Sequence, residues 1–382
     1  MAGQIIKRGE KTWLVRIFTG RDEQGKRHYL NKTIKGNKRD AEKYLSTTQT
    51  AINTSTFVEP SPLSVNSYLA KWFETAARPR VTEHTFEDYK RLVERYVKPS
   101  SLAAVRLSDL RPLDIQQLYA DMQGRGLSAR TVRYLHAILN SAFKQAVRWG
   151  MLSRNPAGLV ELPKQTRKEM CALSPDEAAR FLKAASQDRW GVIFAFALAT
   201  GMRPEEYLGL QWKDVDLVRG TVTMRRALIW RARGGGWYFG EPKTARSRRS
   251  IPLPATTLRA LAEHRRKQAE ERLKVGPSYQ QHDLVFATPA GGPLSPHNLK
   301  RRHFRPILKS AKLPQGFRLY DLRHSCATLL LAAGEHPKVV SERLGHATVT
   351  LTLDTYSHVL LTMQEAASQK LEQMLYGSAR KK

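Results

Sequence analysis

Two proline-bearing breaks constrain this chain more than any other feature. Glu59-Pro60-Ser61-Pro62 and the run from Asn155-Pro156 to Pro163-Lys164-Gln165 divide its 382 residues into three stretches, each with a different apolar pattern. Proline lacks a backbone donor and pushes the residue before it out of the helical region, so a helix does not run through either break. The length suits two or three domains. The breaks place them at residues 1–58, 63–155 and 168–382.

In the first stretch Thr12 to Phe18 alternates like a strand, Arg21-Asp22-Glu23-Gln24-Gly25 supplies a turn, and Arg27 to Ile34 reads as a second strand. A helix follows from Lys38 to about Ile52, with Ala41, Tyr44, Leu45 and Thr48 on one face. The second stretch changes to helical spacing in four successive sets. These are Val65/Tyr68/Leu69/Trp72/Phe73, Phe86/Tyr89/Leu92/Val93/Tyr96, Ile115/Leu118/Tyr119/Met122, and Val132/Leu135/Ile138/Leu139/Ala142/Phe143/Val147. Four amphipathic helices predict a small bundle whose aromatics are core. In the third stretch Ser174-Pro175-Asp176-Glu177 is a helix start, with N-cap Ser, Pro in the first turn and Glu at the capping-box position. Helices run to about residue 210. A strand begins at Gly220 to Met224, Gly234-Gly235-Gly236 breaks it, and Arg248 to Leu253 closes a small sheet. The remainder is mostly helical, and Thr362 to Leu375 has helical spacing of its own. The predicted class is multidomain, mainly α with small β-sheets.

Charge decides the kind of partner. Lys and Arg number 64 against 34 Asp and Glu, a net charge of +30. Such an excess repels itself in a compact fold and suits a polyanion, where each neutralised phosphate releases a condensed counterion. The strands of the first stretch carry Lys7, Arg8, Lys11, Arg16, Lys26, Arg27, Lys32 and Lys35, and strands fit a DNA groove. Arg225 to Arg249 holds eight Lys/Arg against one acid, and Lys300 to Lys312 holds six against none. Cysteine occurs only as Cys171 and Cys326, so neither a zinc knuckle nor a disulfide framework is indicated. No cluster of metal-binding carboxylates stands out, and no Gly-x-x-x-x-Gly-Lys-Ser/Thr phosphate loop occurs, so no metal and no cofactor is expected. The longest apolar run, Val192 to Ala199, is too short to span a membrane, and Met1-Ala2-Gly3-Gln4 opens no signal peptide. The expectation is a soluble protein of the cytoplasm.

Five short segments hold polar groups where packing alone does not ask for them: Thr200-Gly201-Met202-Arg203-Pro204-Glu205-Glu206, Glu241-Pro242-Lys243-Thr244, Tyr320-Asp321-Leu322-Arg323-His324, Leu344-Gly345-His346, and Leu353-Asp354-Thr355-Tyr356-Ser357-His358. In order, spacing and flanking residues they resemble the tyrosine recombinases, in particular the phage and transposon integrases. That resemblance implies an arm-type DNA-binding domain over residues 1–58, a helical core-binding domain over 63–155, and a catalytic domain over 168–382. It makes Arg203 and Arg323 the two phosphate-clamping arginines, Lys243 the lysine of the sheet, His346 the histidine of the Leu-Gly-His segment and Tyr356 the nucleophile. It implies double-stranded DNA attachment sites as substrate, a homotetramer on paired sites, and accessory bending or directionality proteins.

Elementary chemistry agrees with those roles. A phosphodiester gains charge on its non-bridging oxygens as it becomes pentacoordinate, and two guanidinium forks can hold that charge. A tyrosine, with a free pKa near 10, needs cations or a base to ionise as it attacks. Lys243 suits protonation of the leaving 5′-oxygen. His346 either holds the phosphate or assists proton transfer. Energy kept in a 3′-phosphotyrosine ester lets rejoining proceed without ATP. The chain departs from the family where Tyr320 stands three residues before Arg323, the place of a histidine. A phenol can hydrogen-bond a phosphate oxygen but stays neutral, so the histidine's role is lost there or shared with His324 or His346. Glu206 and Asp214 are read as orienting groups, and Arg246, Arg248 and Arg249 as grips on the DNA backbone. The segment Thr362–Leu375 packs on its own core or on a neighbouring protomer. Two other readings compete: a topoisomerase with the same nucleophile, and a DNA-binding regulator whose catalytic domain is dead.

Overall fold

A computed structural model describes residues 3–21, 24–54, 57, 62–165, 170–231, 235–241 and 248–376, with backbone alone for 357–367 and 370. The chain divides into two units, Met1–Arg167 and Lys168–Lys382. Lys243, and most of the linker expected at Glu59 to Pro62, lie outside the described residues.

In the first unit β1 (Gly3–Gly9), β2 (Thr12–Arg21) and β3 (Arg27–Lys35) form an antiparallel sheet in that order. Alternation along β2 turns Val15 and Ile17 inward, onto Ala41 of helix α1 (Lys38–Asn53). Helix α1 starts in a capping box between Asn37 and Asp40. Strand β1 was not foreseen: Gln4-Ile5-Ile6-Lys7 has no alternating signal, and its conformation comes from pairing with β2, Ile5 opposite Val15. A separate apolar cluster joins α2 (Val65–Trp72), α3 (Glu83–Leu92), α4 (Pro112–Gly124) and α5 (Ala129–Arg148). Helices α2 and α3 each end in a wider π turn, Phe73–Ala77 and Val93–Val97. The aromatics expected in this core are there: Tyr68, Phe86, Tyr119 and Phe143 are all buried.

The second unit opens with α6 (Pro175–Ala185), capped by Ser174 and Glu177 as expected, then α7 (Gly191–Thr200) and α8 (Pro204–Leu208). Strands β4 (Val215–Asp216), β5 (Thr221–Met224), β6 (Ala227–Trp230), β7 (Trp237–Gly240) and β8 (Arg249–Pro252) follow. They make two sheets where the sequence suggested one: β4-β5-β8, and a separate β6-β7 hairpin. The chain leaves the first sheet at Arg225-Arg226, whose guanidiniums both turn to the buried Asp214 carboxylate. Helices α9 (Ala255–Val275), α10 (Pro296–Leu299), α11 (Arg305–Ser310), α12 (Asp321–Ala332), α13 (Pro337–Leu344) and α14 (Val349–Tyr376) complete the unit. The helix expected over 362–375 is continuous with the segment holding Tyr356, and Tyr356 itself breaks the helical geometry at φ −118°, ψ 21°. Helix α7 is apolar on every side and lies within the main core beside Phe286 and Phe304.

Candidate active site

Arg203 is placed by the abrupt end of α7. Gly201 takes a left-handed turn at φ +65°, and a Cβ there would lie 2.6 Å from Leu344 Cδ2 and 3.2 Å from Cys326 Sγ, so any other residue is strained there. Two residues on, Arg203 caps the start of α8, not the end of α7. Its backbone N donates to Glu206 Oε2 at 3.0 Å and its Nη1 to Glu206 Oε1 at 2.6 Å. Glu206 also accepts from Arg249 Nη2 at 2.9 Å. Burial pushes the Glu206 carboxyl up, but Arg249 and Arg203 together hold it below the usual carboxylate range. Arg249 Nε donates to the Arg343 carbonyl at 2.6 Å, and Arg343 Nη2 donates to the Ala199 carbonyl at 2.7 Å. This corrects the expectation that Arg249 grips DNA backbone. Its side chain is only 7% exposed because it links β8, α8 and α13. Arg248 beside it is exposed, and Arg246 lies outside the described residues.

Arg323 sits in the first turn of α12 and is 1% exposed. Its Nη1 donates to the Gly201 carbonyl at 2.7 Å, while its Nη2 is buried with no hydrogen-bond partner among the described residues. Burial first, then the nearby charge of Arg203, pulls its pKa down to about 10, so it remains charged at neutral pH. A buried cationic donor without an acceptor costs free energy that a phosphate oxygen would recover. Tyr320, just before α12, is partly exposed, and together with Glu206 it favours the charged form of the Arg203 guanidinium. Asp321 is turned away from this cluster, into an ion pair with Arg318 at 2.6 Å.

His346 follows Gly345, whose left-handed φ of +68° ends α13. Its Nδ1 lies 2.7 Å from Thr352 Oγ1. Burial and the cations Arg323 and Arg203 lower its pKa to about 4, so the ring is neutral at neutral pH. Tyr356 is 1% exposed, and its hydroxyl lies 2.9 Å from His324 Nδ1. Burial raises the pKa of this phenol, and Arg323 works against that rise. His324 itself is lowered to about 4, by burial ahead of any charge.

Of the six residues singled out, Arg203, Tyr320, Arg323, His346 and Tyr356 come together; the position of Lys243 lies outside the described residues. Arg343 was missed, because an arginine inside an amphipathic helix carries no sequence signal of a buried structural role. His324 was weighed only as a substitute, yet it is the group in contact with Tyr356. The basic run from Lys300 to Lys312 exposes Arg301, Arg302, Arg305, Lys309 and Lys312, while His303 turns to Asp188 at 3.0 Å. Among the described residues no three His, Cys, Asp or Glu side chains gather as a metal site, and no helix is long and apolar enough to cross a membrane.

Arg203, Arg323, His346 and Tyr356 thus gather two cations, an imidazole and a phenol in one cluster. The pattern of the "Phage integrase family" matches residues 172–362, half of the chain, and that of the "Phage integrase, N-terminal SAM-like domain" matches residues 64–123. The chain belongs to the phage integrase family of tyrosine recombinases, whose members catalyse DNA cleavage and rejoining. A tyrosine recombinase XerC-like protein of Caldanaerobacter subterraneus subsp. tengcongensis is 29% identical over 97% of this chain and 98% of its own length. The fold is similar to the Tn1549 transposon integrase in complex with a circular intermediate DNA, at TM-score 0.69 and 22% identity, over 81% of this chain and 99% of that one. It is also similar to a lambda integrase tetramer bound to a Holliday junction, at TM-score 0.54 and 17% identity, over 92% and 97% of the two chains.

Proposed function

We propose that this chain integrates or excises a mobile element by cutting and rejoining double-stranded DNA at attachment sites, with Tyr356 as nucleophile. Tyr356 Oη attacks phosphorus, the bond to the 5′-oxygen breaks, and a 3′-phosphotyrosine forms. Arg203 and Arg323 hold the non-bridging oxygens, with His346 and Tyr320 beside them. Lys243 donates the proton that the 5′-oxygen needs. The reverse attack by a 5′-hydroxyl rejoins the strand with the number of ester bonds unchanged. Residues 1–58 serve as an arm-type DNA-binding domain, 63–155 as a core-binding domain and 168–382 as the catalytic domain. The working form is a homotetramer on paired sites, with bending or directionality proteins as accessories, in the bacterial nucleoid.

The observation that carries this reading is the buried Nη2 of Arg323, a cationic donor without an acceptor among the described residues, beside Arg203 and Tyr356. The test uses nicked duplexes tiled across the DNA that flanks the protein's own gene. Incubation is expected to give a protein–DNA adduct that survives denaturation and disappears in Tyr356→Phe. An adduct that persists in Tyr356→Phe sinks the assignment of the nucleophile. Joining of two sites, rather than relaxation of one circle, marks the reaction as recombination.

A further inference from the structure

Where the integrases most often place a histidine, this chain has Tyr320, and the proton released by Tyr356 on attack has no acceptor there. We propose that His324 takes that place: its Nδ1, 2.9 Å from the Tyr356 hydroxyl, accepts the proton as Oη bonds to phosphorus and returns it when the strand is rejoined. The inference rests on Tyr356 being the nucleophile.

Three features single out His324. It is the side chain whose ring nitrogen contacts the reacting oxygen, within the range in which a base takes a proton directly. It is held in place by its setting: it lies one residue past Arg323 in the first turn of α12, and its ring packs edge-on against Tyr320, with centroids 5.2 Å apart. It is also neutral in the DNA-free protein, since burial lowers its pKa to about 4. With Nε2 carrying the ring proton, Nδ1 is left as the acceptor and the Tyr356 O–H donates to it.

The other groups near Tyr356 do not serve as bases. Arg323 is a cation with no lone pair to offer, and the Tyr320 ring packs on His324, whose own ring lies against Tyr356. His346 is neutral, but its ring hydrogen-bonds Thr352, whereas His324 reaches the Tyr356 hydroxyl. The charged groups that act on His324 are Asp321, which favours its protonated form, and Arg323 and Arg318, which oppose it. A phosphate bound to Arg323 offsets one of the opposing charges, so substrate binding itself raises the basicity of His324. The atoms balance: one O–P bond forms and one breaks, the Tyr356 proton moves to His324 Nδ1, and a second proton reaches the 5′-oxygen from Lys243.

The experiment measures single-turnover adduct formation on the nicked duplexes for wild type, His324→Ala and His324→Asn. Asparagine keeps a hydrogen-bond acceptor near the position of Nδ1 but is not a base, so it separates proton transfer from positioning, and it carries the test alone if the alanine variant does not fold. Both variants are expected to react about 10²–10⁴-fold more slowly at neutral pH. Their rates should climb with each pH unit towards the ionisation of the Tyr356 phenol, which burial places above the free value near 10, while wild type stays flat. A duplex with sulfur in place of the bridging 5′-oxygen needs no proton on its leaving group; it should rescue Lys243→Ala and leave both His324 variants slow. His324→Asn with the wild-type rate and pH profile, or rescue of both variants by the sulfur substrate, overturns the proposal and leaves Tyr356 as nucleophile. An adduct that persists in Tyr356→Phe overturns the reading beneath it instead.

Discussion

The Glu206 carboxylate holds Arg203 and Arg249 at once, with Oε1 2.6 Å from one guanidinium and Oε2 2.9 Å from the other. Its side chain is 3% exposed, and that of Arg249 is 7% exposed. Removing the anion leaves two largely buried cations facing one another. Glu206→Ala is therefore expected to lose about 3–5 kcal/mol of stability in urea unfolding, the usual cost of stripping one partner from a buried charge cluster. Adduct formation should fall with it, because Arg203 loses the contact that aims it. A variant as stable as wild type would show that the cluster is not held by this carboxylate.

Gly201 joins both arginines through the backbone. Its carbonyl accepts from Arg323, and its left-handed turn directs the chain to Arg203. Gly201→Ala asks an L-residue to take φ +65° and places a methyl 2.6 Å from Leu344 Cδ2. The backbone term alone is about 1–2 kcal/mol, and Leu344 is the last residue of α13, two before His346. The expected outcome is a lower Tm together with slower adduct formation, read by thermal melts and by the nicked-duplex assay. Wild-type values for both would mean that this turn is not tightly packed.

How much of this was legible in the sequence differs between the fold and the site. The helices of residues 65–148 were readable because each buries one stripe, and Tyr68, Phe86, Tyr119 and Phe143 fall on it. Strand β1 was not, since its state depends on pairing with β2 rather than on its own pattern. The split of the small sheet at Arg225-Arg226 depends on the distant Asp214, which no local period reports. At the site, the order of Arg203, Arg323, His346 and Tyr356 could be read because each sits in a distinctive short segment. The structural role of Arg249 could not, because a run of arginines looks the same in sequence whether it meets phosphate or Glu206.

Acid should weaken the folded state through two histidines. His324 and His346 both have pKa values lowered to about 4, mainly by burial, against an ordinary value of 6.5. Each ring binds its proton more weakly when folded, so the unfolded chain takes up protons first as pH falls. Their contribution is therefore constant above about pH 6.5 and declines as pH drops towards 4. Tm measured from neutral to mildly acidic buffer should fall for wild type and fall less steeply for His346→Asn, whose side chain does not titrate. Parallel slopes would remove His346 from the account.

Arg323 ties the stability of the DNA-free protein to its reaction. Arg323 is 1% exposed, leaves Nη2 without a partner among the described residues, and carries a charge that burial and Arg203 both oppose. Such a group is a cost until an anion arrives. Arg323→Met, of similar volume and no charge, is expected to hold or raise Tm in the absence of DNA while reducing adduct formation by at least about 10²-fold, the scale of one lost charge-stabilising donor. Arg323→Lys keeps a charge but not the fork. It should be slow as well, without the gain in stability. Thermal melts beside single-turnover kinetics distinguish these outcomes. If Arg323→Met unfolds well below wild type, the arginine is held chiefly by its bond to the Gly201 carbonyl, and the unpartnered Nη2 is not waiting for phosphate.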